Sequence, residues 1–580
     1  MLAGVVAVGF VVFGIFQILS SGSLMQQAAA DLQSVSRSIS DGRPDVADRN
    51  LELARDHASS AKSRADGPVV WLGKKLPFVG DDVEAVQTAA EVIDSLANES
   101  LPKLVEASRS LSPQTLRPRK GSVSLEPIAK LQDLLIDVAD DVDAAHDRVA
   151  DVDVARLVGR LQAPMLNLQR QLAGAAALAR RGATVVQLMP AMLGSEGPRT
   201  YALITQNNAE IRSTGGITGA VAIIRASHGK VRILSQSNEL EFGTWQSPVV
   251  PLTHDEQALF GDLLARFPQN ATTTPDFPRS AEILREMWRK KQGQDLDGVV
   301  SIDPVAMAGV LAGLGTVRVP DGRPLDAAAL VPSLENTIYL VQPDYLLQDS
   351  YFAMVGKSIF DAAVSGRGDP SVLLDAVTTA VEGRRILLWS AHPEEQAMLA
   401  GTRISGDMPS EATGNPQLGM FLNDAASDKM SFYLNYRVDV QPQLCNYDGS
   451  QTLDVTLTMQ SLAPLNIEEF GARLVFMGGY AGAPKLGTVR TVAHFYAPFG
   501  GRVLESTLDG GEAPVSMLQH LGREVTSITL DLAPQQTRVV TYAVRTGKDQ
   551  PGPVELRTTP AGLGSGMGTV GPSACSQPLP

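Results

Sequence analysis

The hydrophobic period of this chain changes twice, and these changes constrain the fold more than any other feature. In residues 24–194 apolar residues recur at helical spacing, and from Ile128 to Val152 their separations alternate between three and four, as in a heptad repeat. From Tyr201 short β-rich runs alternate with helical blocks, which is typical of an α/β domain with a central sheet. After about residue 428 the period is two, as in an antiparallel β-sandwich.

The sequence therefore predicts a multidomain chain with α, α/β and β parts. We predict a transmembrane anchor over 1–20, a helical bundle or stalk over 24–194, an α/β domain over 198–427, a β-sandwich over 428–558 and a flexible tail over 559–580. The heptad repeat is typical of an antiparallel bundle, and the alternative is a coiled coil that binds a partner or joins copies of the chain.

The predicted anchor is the run MLAGVVAVGFVVFGIFQIL, and the first charged residue of the chain is Asp31. A helix of this length spans a hydrocarbon core about 30 Å thick. The alternative is a cleaved signal peptide, which would need a basic region before the apolar run. No Lys or Arg precedes the run here, so we expect a single-pass membrane protein.

The chain has two cysteines, Cys445 in the turn-like stretch LCNYDG and Cys575 in the tail SACSQPLP. A tail of Gly, Ser and Pro has no core of its own to pack against, so we predict a disulfide that holds it in place. Two free cysteines are the alternative. Disulfides persist in oxidising compartments, and the bridge would place the bulk of the chain outside the cytoplasm.

The charge of the chain excludes one class of partner. It carries 49 basic and 63 acidic residues, a net charge of −14, whereas nucleic-acid binding relies on clustered Lys and Arg. The sequence also lacks the HExxH, CxxC and GxSxG motifs of metal-dependent and nucleophilic enzymes. We therefore predict no nucleic-acid partner and no metal ligands.

One polar, glycine-rich segment, Gln206–Gly219, lies between two predicted strands. An arginine fork, two hydroxyls, glycine amides and two side-chain amides suit a phosphate, a pyrophosphate or a sugar. The predicted ligand-binding residues are Asn207, Asn208, Arg212, Ser213, Thr214, Gly215 and Gly216. The alternative is a glycine-rich hairpin with a solvated arginine.

The stretch QNNAEIRSTGGITGAVAIIRASHGKVRI resembles a family of bacterial envelope proteins, domain-of-unknown-function family 4012. The resemblance continues in RRILLWSAHPEEQAML and in GNPQLGMFLNDAASDKMSFYLNYRV. The order of strands and helices is also distantly similar to the LytR-CpsA-Psr domain. That second resemblance implies transfer of a glycopolymer from a polyprenyl-pyrophosphate carrier to peptidoglycan, outside the membrane.

The LytR-CpsA-Psr resemblance further implies carboxylates for a divalent metal such as Mg²⁺ and several arginines for the pyrophosphate. Here Asn207 and Asn208 stand near the first of these carboxylates, and Leu347–Tyr351 has no arginine where the family has two. Neutral amides are poor ligands for Mg²⁺. Two functions stay open: binding or transfer of a lipid-linked glycopolymer, and a non-catalytic scaffold of the cell envelope.

Overall fold

The structure is a computed structural model that describes residues 31, 34, 35, 38, 44–66, 80–110, 117–119, 121–319, 322–409, 411–467, 485–564 and 566–576. The chain divides into two compact units. The first contains the chain up to Pro198 together with Ala226–Lys230, and the second contains Arg199–Arg225 and Val231–Pro580. Helical regions and several sheets are both present, as predicted.

The first unit is built from helices. Its described helices are α1 Pro44–Ala65, α2 Gly80–Ser95, α3 Leu101–Ser110, α4 Glu126–Ala150 and α5 Gly159–Met192, with a π-helical turn Leu96–Ser100 between α2 and α3. The heptad positions of α4 from Ile128 to Val149 are all buried, and they share one apolar core with the other helices. The prediction of a helical N-terminal region is therefore confirmed. A stalk or an oligomerisation role stays a prediction.

The second unit begins with an α/β part. Its strands are β1 Arg199–Arg212, β2 Gly215–Ser227, β3 Lys230–Asn238, β4 Gly298–Ile302, the short pair β5 Val317–Arg318 and β6 Pro324–Leu325, and β7 Ile386–Ser390. The main sheet has the order β3-β2-β1-β4-β7, with β1 and β4 parallel. Their carboxyl ends point to the same edge, the edge at which open α/β sheets bind ligands.

Eight helices accompany these strands in the described part of the second unit. They are α6 His254–Phe260, α7 Phe277–Gln292, α8 Pro304–Leu314, α9 Ala327–Pro332, α10 Ile338–Val341, α11 Tyr345–Val364, α12 Pro370–Glu382 and α13 Pro393–Leu399. The amphipathic helix α7 buries Ile283, Leu284 and Met287 in one core with Ala202 and Val299 of the sheet. This packing holds β1 and β4 in place.

The rest of the second unit is a β-sandwich. Its strands are β8 Gln417–Asp424, β9 Leu434–Cys445, β10 Gln451–Ser461, β11 Val489–Tyr496, β12 Arg502–Leu508, β13 Gly511–Glu512, β14 Ser516–His520, β15 Arg523–Leu532, β16 Thr537–Arg545, β17 Glu555–Thr558 and β18 Met567–Val570. They form the sheets β13-β12-β16-β10-β9-β18 and β14-β15-β11-β8-β17. Alternate residues of β10 are buried because side chains alternate between the faces of a strand. Strand β8, which precedes residue 428, belongs to this sandwich.

The two parts of the second unit share their interior. The pairing of β1 with β4 ends where Thr205 lies opposite Ile302. Strand β1 continues beyond this pair to Arg212. Ile211, near the end of β1, is fully buried in the core of the sandwich. Strand β1 therefore connects the α/β sheet to the sandwich core.

The C-terminal segment is tied to the sandwich. Strand β18 pairs in parallel with β9, and the predicted disulfide between Cys445 and Cys575 is confirmed, with a Cα–Cα distance of 4.9 Å. The sequence predicts a flexible tail over 559–580, and of the described residues in this range β18 and Cys575 are attached to β9. Within the described residues no helix has the length and hydropathy of a membrane span. The predicted anchor over 1–20 lies outside those residues.

Candidate functional site

The segment with the predicted ligand-binding residues is a β-hairpin. Only Ser213 and Thr214 lie between the end of β1 and the start of β2. A side chain at Gly216 would place its Cβ 2.2 Å from the backbone oxygen of Asn207, so glycine is required for the two strands to approach. The backbone φ of Gly215 is +143°, which also favours glycine. These glycines therefore serve strand pairing.

Arg212 is buried inside a group of charges. Its exposed fraction is 5%, and its Nη2 donates to Glu210 Oε1 at 2.8 Å while Nη1 lies 3.7 Å from Asp424 Oδ2. Lys429 Nζ pairs with the other oxygen of Glu210 at 2.5 Å. Arg212 Nη1 also donates to its neighbouring carbonyl, Ile211 O, at 3.0 Å. Two cations thus face two acidic side chains, and the arginine is committed to partners within the fold.

The pKa values of the two acids follow from this arrangement. Burial by itself would raise the pKa of Glu210, but the charges of Lys429 and Arg212 outweigh burial and hold that pKa below its usual value. Burial raises the pKa of Asp424 to about 7, against the opposing effect of Arg212. Glu210 is therefore the principal counter-ion of Arg212, and a bound phosphate would have to compete with it.

Ser213 and Thr214 also bond within the fold. Asn423 Oδ1 accepts the Ser213 amide at 3.0 Å, and Asn423 Nδ2 donates to the Ser213 hydroxyl at 3.0 Å. The Thr214 hydroxyl donates to Gln206 Oε1 at 3.0 Å. Both turn residues are buried. The structure therefore brings the predicted residues together, but as a buried polar contact between the sheet and the sandwich.

Asn207 and Asn208 do not form a metal site. Asn207 Oδ1 accepts the Ala209 amide at 3.0 Å, and its Nδ2 donates to the Tyr339 hydroxyl. Asn208 Nδ2 donates to Gly215 O at 3.1 Å. In the part of the chain that the structure describes, no group of three or more His, Cys, Asp or Glu side chains could hold a metal ion. The residues present do not fit the Mg²⁺ that the LytR-CpsA-Psr resemblance implies.

A second polar group lies at the carboxyl edge of β1 and β4. Asp303 directly follows β4, and its Oδ1 accepts the Ala306 amide at 2.7 Å, which caps the start of α8. Its Oδ2 pairs with Arg385 Nη1 at 2.5 Å. Asn208 and Glu335 complete this group, which we call the edge cluster: Asn208, Asp303, Glu335 and Arg385.

Three buried oxygens of the edge cluster lack a hydrogen bond of ordinary geometry to any residue that the structure describes. Glu335 and Asn208 are fully buried. Among the described residues, neither carboxylate oxygen of Glu335 has a hydrogen-bond partner, and the same holds for Asn208 Oδ1. Burial raises the pKa of Glu335 to about 8, and the nearby Asp303 raises it further, while Arg385 and the backbone amide of Asn208 lower it. Buried polar atoms are nearly always paired in proteins, so these oxygens are candidates for contact with a ligand.

Sequence reasoning missed the residues that decide the chemistry of both groups. Asp424 and Lys429 lie more than 200 residues beyond Arg212, and Glu335 and Arg385 lie more than 100 residues beyond Asn208. Asp424, Lys429 and Arg385 do fall within the stretches that carry the family resemblance. That resemblance was the only sequence signal that pointed to them.

Part of the chain matches the model of a known protein family. No curated protein matches the chain. Residues 196–339 match the model of the family described as "Protein of unknown function (DUF4012)", and this match confirms over that segment the resemblance predicted from the sequence.

Proposed function

We propose that this chain is a membrane-anchored, extracytoplasmic protein of the bacterial cell envelope that binds a lipid-linked, polyprenyl-pyrophosphate glycopolymer. The anchor rests on the uncharged apolar run over 1–20. The disulfide between the only two cysteines of the chain supports an oxidising compartment. The glycopolymer rests on the resemblance to the LytR-CpsA-Psr domain.

The observation that carries binding is the edge cluster. Its unpartnered acceptors on Glu335 and Asn208 lie at the ligand-binding edge of an α/β sheet, and sugar hydroxyls are the donors that such acceptors lack. Transfer is less well supported than binding. Arg212 is neutralised by Glu210, and the Asn side chains offer no carboxylate for a metal, so phosphotransfer at the hairpin lacks its electrophilic groups.

A specific observation favours the alternative, a non-catalytic scaffold. Four apolar side chains at the end of α10 and the start of α11 are more than half exposed. They are Val341 at 61%, Tyr345 at 58%, Leu346 at 57% and Leu347 at 52%. Large apolar side chains exposed at neighbouring positions are typical of protein contacts when they form one patch. A scaffold role therefore predicts that Leu346→Ser weakens association with other envelope proteins and leaves glycolipid binding unchanged.

The test uses the full chain in detergent and a polyprenyl-pyrophosphate glycan, with and without Mg²⁺. We expect binding without a requirement for Mg²⁺, no transfer of the glycan, and weaker binding by Glu335→Ala. Glu394→Ala is the control, because Glu394 is an exposed residue of α13. Absence of binding under both conditions would refute the proposal, and transfer of the glycan would refute the assignment to binding alone.

A further inference from the structure

The edge cluster is covered by a short segment from the far end of the chain. This segment, Thr559–Gly564, follows β17, and we call it the C-terminal strap. The Thr559 hydroxyl donates to Ser213 O at 3.1 Å, which places the strap beside the β1–β2 hairpin. Asn208 Nδ2 donates to Pro560 O at 3.4 Å. The strap therefore crosses the sheet edge above Asn208.

Arg385 holds the far end of the strap. Its Nη2 donates to Ala561 O at 2.8 Å and to Gly564 O at 2.7 Å, while its Nη1 keeps the ion pair with Asp303. The guanidinium thus joins the edge cluster to two backbone carbonyls. A ligand with acceptor oxygens would use the same donors of Arg385.

The strap fits the shape of the cluster without satisfying its acceptors. A side chain at Gly562 would place its Cβ 2.4 Å from Glu335 Oε2, so any other residue would require the Glu335 carboxylate to shift. Pro560 has no amide hydrogen, and the amides of Ala561 and Gly564 each donate to the other residue's carbonyl oxygen. The strap therefore supplies carbonyls to the donors of the cluster, but the acceptors of Glu335 and Asn208 stay without partners.

The chain beyond the strap is held by separate contacts. Strand β18 pairs with β9, and Cys575 is bonded to Cys445 at the end of β9. The Ser573 hydroxyl also donates to Gln451 Oε1 at 3.0 Å. The disulfide therefore limits how far the strap can move from the edge cluster while the sandwich stays folded.

We propose that the edge cluster is a ligand site occupied by the chain's own C-terminal strap, and that a hydroxyl-rich ligand displaces the strap from Glu335 and Asn208. The strap then opens locally, and cleavage of the Cys445–Cys575 disulfide increases this opening. The identity of the ligand as a glycan rests on the proposed function. The opening of the strap does not, because it is inferred from contacts within the chain.

Thiol labelling of the intact, folded protein tests the opening. With both native cysteines in the disulfide, Glu335→Cys introduces the only free thiol, beneath the strap. Ser280→Cys is the matched control, because Ser280 is equally buried but lies in α7, away from the strap. Both are also made in the Cys445→Ser, Cys575→Ser background, and native folding of each variant is checked by circular dichroism.

We expect the Glu335→Cys thiol to react at least about tenfold faster than the Ser280→Cys thiol, since local opening needs less free energy than global unfolding. Removal of the disulfide should accelerate the Glu335→Cys thiol further, relative to the control. Equal rates for the two thiols in both backgrounds would overturn the proposal. Backbone hydrogen exchange of unsubstituted protein is the second measurement, and exchange of the strap no faster than that of β10 would also overturn it.

These outcomes are distinguishable from those of the glycolipid test. Rapid labelling beneath the strap without glycolipid binding would retain the opening and refute the proposed function. Glycolipid binding with equal labelling of the two thiols would retain the proposed function and refute the strap.

Discussion

Arg212 has the residue type of an anion-binding group but the surroundings of a structural ion pair. An exposed arginine beside hydroxyls and glycine amides attracts phosphate, whereas a buried arginine must be neutralised by carboxylates of the same fold. Here Glu210 and Asp424 supply the two carboxylates, and Lys429 supplies a second positive charge beside Glu210. At this scale the partners of a residue decide its role.

Replacement of Arg212 by alanine should therefore affect stability. We expect Arg212→Ala to lower the free energy of unfolding by about 3–5 kcal/mol, because it removes one of the two buried cations and leaves Lys429 alone to balance Glu210 and Asp424. Urea denaturation measures this loss. The control is Arg437→Ala, since Arg437 is 67% exposed in its pair with Asp439. This substitution should lower the free energy of unfolding by less than about 1 kcal/mol. Equal effects of the two substitutions would contradict the structural role.

Glu335 should make stability depend on pH. Its pKa in the folded chain, about 8, lies above the ordinary value of 4.5, so the folded state holds the proton more tightly than the unfolded state. The proton on Glu335 stabilises the folded state fully below pH 4.5. This stabilisation is lost as the pH rises from 4.5 to about 8, and the free energy of unfolding no longer changes on account of Glu335 above that. Glutamine does not titrate, so Glu335→Gln should remove this decrease in the free energy of unfolding, which amounts to about a few kcal/mol.

The measurement is the free energy of unfolding of both proteins across that pH window. Above pH 8 we expect Glu335→Gln to be the more stable protein, because the parent chain then buries an unpaired charge. The exposed Glu394→Gln serves as the control and should follow the parent chain at every pH. A constant difference between Glu335→Gln and the parent would rule out a buried, protonated Glu335.

Among the elements, β9 and β18 show how a segment of low apolar content becomes ordered. Met567 and Val570 pair with β9, yet Met567 is half exposed, so burial contributes little to holding the strand. The disulfide at the end of β9 contributes a covalent link instead. The composition of 559–580 predicts flexibility, and the pairing with β9 could not be read from it, because backbone hydrogen bonds do not depend on side-chain type.

Loss of the disulfide should therefore destabilise the protein. Cys445 and Cys575 are 130 residues apart, and for a loop of this length the chain-entropy model gives about 5 kcal/mol. We expect Cys445→Ser, Cys575→Ser to unfold at a lower temperature than the parent chain by calorimetry. Reductant should lower the unfolding temperature of the parent but leave the double variant unchanged. An identical unfolding temperature for the two proteins would contradict the prediction.

At the scale of the whole molecule, the α/β sheet and the sandwich depend on each other. Ile211 of β1 lies in the sandwich core, and Ser213 bonds to Asn423 of β8. Thr559, beyond the last strand of the second sandwich sheet, bonds back to Ser213. An α/β part without the sandwich would expose Ile211 and would lose Asp424 and Lys429 from the charge group around Arg212 and Glu210.

A fragment of residues 199–416 should consequently lack a cooperative unfolding transition, whereas residues 199–580 should unfold in one. The physical reason is that the shorter fragment lacks Asn423, Asp424 and Lys429, which satisfy the buried end of β1. Circular dichroism during heating distinguishes the two cases. Cooperative unfolding of the shorter fragment would show that the α/β sheet is independent of the sandwich.

The sequence by itself determined the types of the elements and one covalent link. The heptad positions of α4 and the alternation along β10 are local patterns, and each reports which face of a helix or strand is buried. The disulfide was predicted because the sequence has two cysteines, and one of them lies in a C-terminal segment rich in Gly, Ser and Pro that has no core of its own. The family match over 196–339 followed from a continuous stretch of sequence.

The roles of the polar residues became visible in the folded chain alone. Whether Arg212 attracts an anion depends on Asp424 and Lys429, and the cover over Glu335 comes from the strap at Gly562, all far away along the chain. Charge neutralisation and hydrogen bonding act over a few ångströms in space, and no periodic pattern records which remote residues the fold brings to that distance. For this reason the polar hairpin can be located from the sequence, whereas the edge cluster, which we propose as the ligand site, is visible only in the folded chain.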